Sequence, residues 1–304
     1  MIAFAVDAGN TKTEAAVVDA SDGRVLAISR GGVGDIYSPA GPAAAGEVVT
    51  DVVTAALAEA GIEARAVAHA AFRLAGVDWP EDERFWRDLV DRTWPGLSAS
   101  IKNDGHLFTY LADPSGNGVS VVLGTGGAIG GAGPAGEFAA SWWLQHPMGA
   151  GGLVMEAIRA AALADLGLAT RTRLEQLLPE LLGVDDIGGV LHATTGRGSA
   201  WHFGRLASLA PQVMELWGTD EVLSRIVRSM ARHVADYVGA VAVRCGLPAD
   251  FGVAVGGGMI RGAPQIGEVV REELVRALPG TRITITAGTA LDGAIRAAVA
   301  EARR

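Results

Sequence analysis

Cysteine is almost missing from this chain, with Cys245 the single example among 304 residues. One thiol excludes an internal disulfide, a thiolate zinc cage and an iron–sulfur cluster held by one chain. Positive charge is in short supply: Lys+Arg number 25 against 34 Asp+Glu, a formal net charge of −9. That balance argues against general binding to nucleic acid or anionic membrane. A long apolar run is also lacking. The longest uncharged stretch, Pro114 to Gly136, is broken by glycines and carries Asn117, Ser120 and Thr125, so no membrane span is expected. Met1 to Asp7 reads as a strand, without the basic start or cleavage site of a signal peptide. A soluble, cytoplasmic protein is the expectation. What the chain does have is 49% apolar residues, enough to bury a large core and to set intrinsic disorder aside. Its length predicts about two domains.

Glycine is abundant, at 42 residues, and clustered at 31–34, 124–133, 149–152 and 256–258. Such clusters mark tight turns or close approach of backbone to something else. Ile2–Val6, Glu14–Asp19 and Arg24–Ser29 read as strands, followed by a helix over Ala43–Ala60, a strand over Ala66–Phe72, a helix over Glu81–Thr93, a strand over Leu97–Lys102 and a helix opened by Asp104. A second series begins with strands at Gly118–Leu123, Ala128–Gly131 and Gly136–Trp142. Helical stretches follow at Leu153–Leu168, Arg171–Leu178, Ile187–Thr194, Gly204–Leu216 and Glu221–Cys245. The series closes with strand Gly252–Val255, helix Pro264–Leu278, strand Arg282–Thr286 and a helix from about Gly288 to Ala302. The α/β order βββαβαβα therefore occurs twice. We expect one lobe from residues 1–115 with the C-terminal helix 288–304, and another from 116–287 with a helical insertion at about 153–216. A cleft between two such lobes is a natural ligand site.

Asp7-Ala8-Gly9-Asn10-Thr11-Lys12-Thr13 lies between two strands. It is neither a P-loop nor a dinucleotide fingerprint, since both of those lead into a helix. A hairpin with Gly9 can still aim backbone N–H groups at an anion, with Thr11, Thr13 and Lys12 adding polar groups and Asp7 suited to a hydrated Mg²⁺. A plain Asn/Gly hairpin is the bland alternative. Gly124-Thr125-Gly126-Gly127 occupies the equivalent place in the second series, so two hairpins could grip a polyphosphate from both sides. Asp104, in Asn103-Asp104-Gly105, reads either as a helix N-cap or as a carboxylate that accepts a proton from an attacking hydroxyl. Gly256-Gly257-Gly258 either admits a flat ring against backbone or eases tight packing. His69 reads as a strand histidine and His106 as a residue on a helix surface. His192, His202 and His233 share no metal spacing, and Trp201-His202-Phe203 reads as core or dimer surface.

Taken in order, DAGNTKT, LAGVDWPEDE (74–83), NDG (103–105), LGTGG (123–127), VGGG (255–258) and AGTALDGAI (287–295) make the chain resemble the BadF/BadG/BcrA/BcrD-type ATPases, which include N-acetylglucosamine kinase. The resemblance spans essentially the whole chain. It implies two ribonuclease-H-like lobes of the actin-like ATPase kind and a kinase that uses ATP and Mg²⁺. It implies that Gly9, Asn10, Thr11, Lys12, Thr13, Gly124, Thr125, Gly126 and Gly127 bind ATP phosphates, that Gly256, Gly257 and Gly258 border adenosine, and that Asp7 orients the metal through water. Asp104 falls on the base that activates a sugar hydroxyl. Asp35, Gly76, Thr125, Trp143 and His146 fall on the acceptor side. The partner implied is a small sugar, with no nucleic acid or membrane, and a homodimer is expected.

The chain departs from the family at Ser141-Trp142-Trp143-Leu144-Gln145-His146-Pro147-Met148-Gly149-Ala150-Gly151-Gly152. Relatives carry paired glycines where Trp142 and Trp143 stand, and Asp and Glu where Ala150 and Gly151 stand. A lost carboxylate removes a hydrogen bond of about 1.5–3 kcal/mol, and tryptophan fills space. Both changes count against N-acetylglucosamine itself. Three other readings stand beside the kinase: a non-catalytic nucleotide or sugar sensor, a dehydratase-activating ATPase, and a type III pantothenate kinase. The single cysteine opposes the second, because a bridging cluster takes two cysteines per subunit. LAGVDWPEDE and the placement of VGGG oppose the third.

Overall fold

The computed structural model describes residues 1–140 and 146–304. The chain opens with strands β1 (Ile2–Ala8), β2 (Thr13–Asp19) and β3 (Arg24–Gly31). Helix α1 (Gly41–Ala60), β4 (Val67–Leu74), α2 (Pro80–Thr93), β5 (Ala99–Asn103) and the short α3 (Thr109–Ala112) follow. The second series starts with β6 (Gly118–Leu123), β7 (Gly127–Gly133) and β8 (Gly136–Ala139). Five helices come next: α4 (Gly149–Asp165), α5 (Leu174–Leu182), α6 (Ile187–Thr195), α7 (Phe203–Ala207) and α8 (Ala210–Val213). The chain ends with α9 (Glu221–Cys245), β9 (Gly252–Gly256), α10 (Gly258–Gly262), α11 (Pro264–Ala277), β10 (Arg282–Ile285) and α12 (Ala290–Ala302).

Two five-stranded sheets result, ordered β3-β2-β1-β4-β5 and β8-β7-β6-β9-β10. In each, the first three strands pair antiparallel and the later two add in parallel. This is the duplicated mixed α/β, two-lobe architecture that the strand and helix order predicts.

Side-chain alternation along β1 explains how the lobes are joined. Phe4, Val6 and Ala8 enter one core with Phe72, Trp86 and Trp94, under α1 and α2. Each large apolar side chain buried there contributes about 1.5–3 kcal/mol. Ala3 and Ala5 point the other way, into a second core with Leu107, Phe108, Leu291, Ala294, Ala297 and Ala298. Small residues on that face let α12 lie close against β1 and β4 of the first sheet. Meanwhile α3 packs on β6 and β9 of the second sheet, so the chain crosses between lobes twice. Thr289 caps α12, accepting from the Asp292 N–H while Asp292 reaches back to the Thr289 N–H, a reciprocal cap.

At its far end, α12 is fixed by a buried ion network. Arg73 is 0% exposed and donates to Glu301 at 2.7 Å. His69, Ser100 and Tyr110 contact the same carboxylate. Burial pushes Glu301 up, but the His69 hydrogen bond, the Arg73 charge and Ser100 outweigh it and hold it well below the ordinary carboxylate range.

Four local expectations change. The helix expected over Gly204–Leu216 is split into α7, α8 and a 3₁₀ turn at Met214–Leu216; Pro211 supplies no N–H to an unbroken helix. The helix at Asp104 is a single 3₁₀ turn, capped by Asn103 rather than Asp104. His106 is buried rather than on a helix surface, because that turn runs between the sheets and touches β4, β6 and β7. Burial, then the charges of Lys102 and Arg73, push its imidazole down to about 3. The strand expected to reach Trp142 ends at Ala139, and residues 141–145 lie outside the described residues. No helix among the described residues is long and apolar enough to cross a membrane.

Candidate active site

The carboxyl ends of β1, β4 and β5 meet the β6–β7 hairpin around a cleft of about 320 Å³. Asp7 sits one residue before the end of β1. The turn after it is closed by the Gly9 N–H donating to the Lys12 carbonyl at 3.0 Å. Across the cleft, the Gly124 N–H closes the second hairpin onto the Gly126 carbonyl at 2.9 Å. The two turns face each other, with the hydroxyls of Thr11 and Thr125 3.3 Å apart. The cleft lining includes Asp7, Gly9, Asn10, Thr11 and Lys12 from one side and Gly124, Thr125, Gly126 and Gly127 from the other. Thr13 is buried in β2, its hydroxyl without a hydrogen-bond partner, and is not among the lining residues.

Two backbone approaches set this geometry. Gly105 lies against β7, where a Cβ would come within 3.1 Å of the Gly130 nitrogen, and a Cβ on Gly130 would meet the Gly105 carbon at 2.8 Å. Any side chain at either position would push the Asp104 turn away from the second lobe. Gly149 has φ +72°, and a Cβ there would fall 2.2 Å from the Gly126 oxygen. From that joint α4 begins, its Ala150 and Gly151 N–H groups donating to the carbonyls of Gly124 and Thr125. The first-turn donors of α4 thus hold the hairpin in place.

Acids crowd the other end of the cleft. Asp104, Asp35 and Asp78 line it with Tyr37, Gly76 and Asn103. Asn103 accepts from the Gly105 N–H at 2.7 Å and donates to Asp78 at 2.8 Å, which leaves the Asp104 carboxylate free of the cap. Burial, then the charges of Asp78 and Asp35, push Asp104 up to about 7. Burial, then Asp104 and Glu14, push Asp7 up to about 7. Burial, then Asp82 and Asp35, raise Asp78 to about 6. Carboxylates pushed this far from their ordinary range in a cleft are candidates for proton transfer or cation binding. Lys12 is held 2.5 Å from Glu14, a buried acid that also meets Arg30 at 2.6 Å. Hard oxygen donors of this kind suit a Mg²⁺ that keeps most of its water. Among the described residues no cluster of three or more His, Cys, Asp or Glu could hold a metal ion.

Beyond Thr11, Gly124 and Thr125 the cleft continues into a mainly apolar hollow of about 300 Å³, bordered by Gly204, Ala207, Pro211, Gly258, Met259 and Ala263. Of the three consecutive glycines only Gly258 reaches it. Gly256 packs on Phe108 and Thr286, and Gly257, at φ +114°, on the Leu123 carbonyl. His146 is in neither cavity; its ring stacks on His233 at 3.6 Å, in a groove between α4 and α9. Trp143 lies outside the described residues. The sequence reading passed over Glu14, Tyr37, Asp78 and Asn103. Asp78 sits inside LAGVDWPEDE and Asn103 beside Asp104, so adjacency to those motifs was the available signal.

No protein-family model matches the chain, and no curated protein matches it. Solved structures do. A Chromobacterium violaceum protein described as a candidate N-acetylglucosamine kinase superposes with a TM-score of 0.68 at 23% identity, covering 97% of each chain. A Porphyromonas gingivalis protein of the same description gives 0.66 at 16% identity, over 100% of this chain and 99% of that one. A ROK family protein from Streptococcus pneumoniae, in complex with sucrose, gives 0.52 at 15% identity, over 99% and 98%. At such identities the likeness defines the fold. The chain has the two-lobe fold of the actin-like ATPases.

Proposed function

We propose that this protein is an ATP-dependent phosphotransferase acting on a hydroxyl of an amino sugar or related carbohydrate, of the N-acetylglucosamine kinase type. One observation carries the reading: two hairpins from different lobes meet at the Thr11–Thr125 contact, with Asp104 in the same cleft. The apolar hollow past Gly124 suits the adenosine moiety, with Gly258 at its edge. The N–H groups and hydroxyls of residues 9–12 and 124–127 suit the phosphates, with Lys12 oriented by Glu14. Asp35, Gly76 and Asp78 border the acceptor, where carboxylates accept hydrogen bonds from sugar hydroxyls or an ammonium group.

Asp104 takes the proton from the acceptor hydroxyl as that oxygen bonds to the γ-phosphorus and the bond to the ADP oxygen breaks. Its raised affinity for a proton matches it to work near neutral pH. Mg²⁺ beside Asp7 would neutralise phosphate charge. Approach of the lobes would exclude water, so that phosphate goes to the acceptor.

The test incubates the purified protein with Mg·ATP and a panel of hexoses, 2-amino and 2-acetamido sugars, reading ADP release and the phosphorus spectrum of the product. Transfer to at least one sugar is expected. Nucleotide binding without transfer to any would favour the sensor, a reading that Ala150 and Gly151 motivate. Their backbone N–H groups are occupied by the hairpin and they bring no carboxylate. Absence of nucleotide binding would end both. The dehydratase-activator reading is weakened further because Cys245 is fully buried at the end of α9, away from any surface where a shared cluster could form.

A further inference from the structure

We propose that the groove between α4 and α9 is a binding site for a phosphate or phosphate monoester, separate from the cleft. The groove has a volume of about 510 Å³. In a chain of net charge −9, its lining reverses the sign: Arg159, Arg225 and Arg232 against Glu156 as the one carboxylate. Arg225, Ser229 and Arg232 lie four and three residues apart on α9 and so share a face. The two arginines are separated by a rise of about 10 Å, a span that two long side chains can close around one tetrahedral anion.

Glu156 engages Arg159 at 3.3 Å. Among the described residues Arg225 and Arg232 have neither a carboxylate nor a hydrogen-bond partner. Both forks are therefore available for bidentate contact with phosphate oxygens. Buried Leu153 and Met230 line the groove. The stacked imidazoles of His146 and His233 add ring nitrogens beside the guanidinium groups, with the rings 24° from parallel. Burial, then the neighbouring His146, lowers the proton affinity of the His233 imidazole.

The groove is also mechanically tied to the cleft. Gly152, Leu153, Glu156 and Arg159 line it from the first three turns of α4, the helix whose Ala150 and Gly151 N–H groups hold the Gly124–Thr125 hairpin. A phosphorylated small molecule bound here would act on the helix that positions that hairpin. This inference does not depend on the phosphotransferase reading.

The test is calorimetric titration of the full chain with inorganic phosphate and with a hexose 6-phosphate, each against chloride at equal ionic strength. It compares the wild type, Lys12→Ala in the cleft, and Arg225→Gln/Arg232→Gln on the exposed face of α9. The expected result is one phosphate-class site that persists in Lys12→Ala and weakens by about tenfold or more in the arginine pair. Tighter binding of the ester than of phosphate would identify a monoester as the occupant, and equal binding the free anion. Unchanged binding in the arginine variant, with its fold confirmed by circular dichroism, would overturn the proposal. So would absence of any phosphate binding that survives Lys12→Ala.

Discussion

Replacing Asp104 with Asn should make the protein inactive and more stable at once. In the cleft the Asp104 carboxyl is pushed from 3.8 to about 7 by burial, then by Asp78 and Asp35. Each pH unit corresponds to about 1.4 kcal/mol, so the ionised group is opposed by on the order of 4 kcal/mol. Asp78 and Asp35 relax when the charge is removed, which brings the expected gain at pH 8 to about 2–4 kcal/mol. The sign follows from proton binding. Between pH 4 and 7 the folded protein keeps a proton that the unfolded chain releases, so this group costs stability as pH rises through 7. The advantage of Asp104→Asn is therefore largest above pH 7 and shrinks as pH falls toward 4. Urea unfolding without nucleotide or metal, at several pH values, measures it. In the same variant kcat should fall by about 10²–10⁴, with KM for ATP little changed, because Asn cannot accept the proton. Wild-type kcat/KM should drop as pH falls below about 7. Turnover within threefold of wild type, or a variant less stable at pH 8, would refute the reasoning.

Three further outcomes are expected. Gly149→Ala places a methyl against the Gly126 carbonyl at a left-handed backbone position, so unfolding free energy should fall by about 2–4 kcal/mol and nucleotide affinity should fall with it; unchanged thermal unfolding would count against the described joint. Glu301→Ala leaves Arg73 buried without its carboxylate and should cost about 3–5 kcal/mol, measured by denaturant unfolding. Because Glu301 is held below its ordinary range, its stabilising effect in the wild type is present above about pH 4.5 and lost on acidification. Glu14→Gln removes the charge that orients Lys12 and Arg30, and should raise KM for ATP about tenfold with a smaller effect on kcat, as steady-state kinetics would report.

The path from residues to elements is short where the signal is local. Apolar runs in β1 and β6, the spacing of valines in α1, and the turn glycines each act through neighbours in sequence, and the strand and helix order follows from them. Misreadings arose where a distant segment decided the matter. His106 looks like a surface residue in a polar turn, yet the turn lies between two sheets. Asp104 looks like the helix cap, yet Asn103 takes the cap and leaves the neighbouring carboxylate to the cleft. Glu14 looks like an alternating strand residue, yet it is buried beneath Lys12 and Arg30. Asp78 has no metal or catalytic spacing with Asp104 along the chain, and its charge reaches Asp104 only because β4 and β5 pair side by side.

The two βββαβαβα series, the hairpins that end their first strands and the exclusion of an internal disulfide are legible in the chain alone. Those depend on backbone preference and on hydrophobic periods of two and 3.6 residues, both set within a few positions. Folding in three dimensions brings Thr11 to Thr125 across 114 residues, gathers four aspartates in one cleft, and turns His146 toward α9 instead. Such facts depend on distances through space between charges and packed backbones, and those distances exist only once the two sheets have closed on each other.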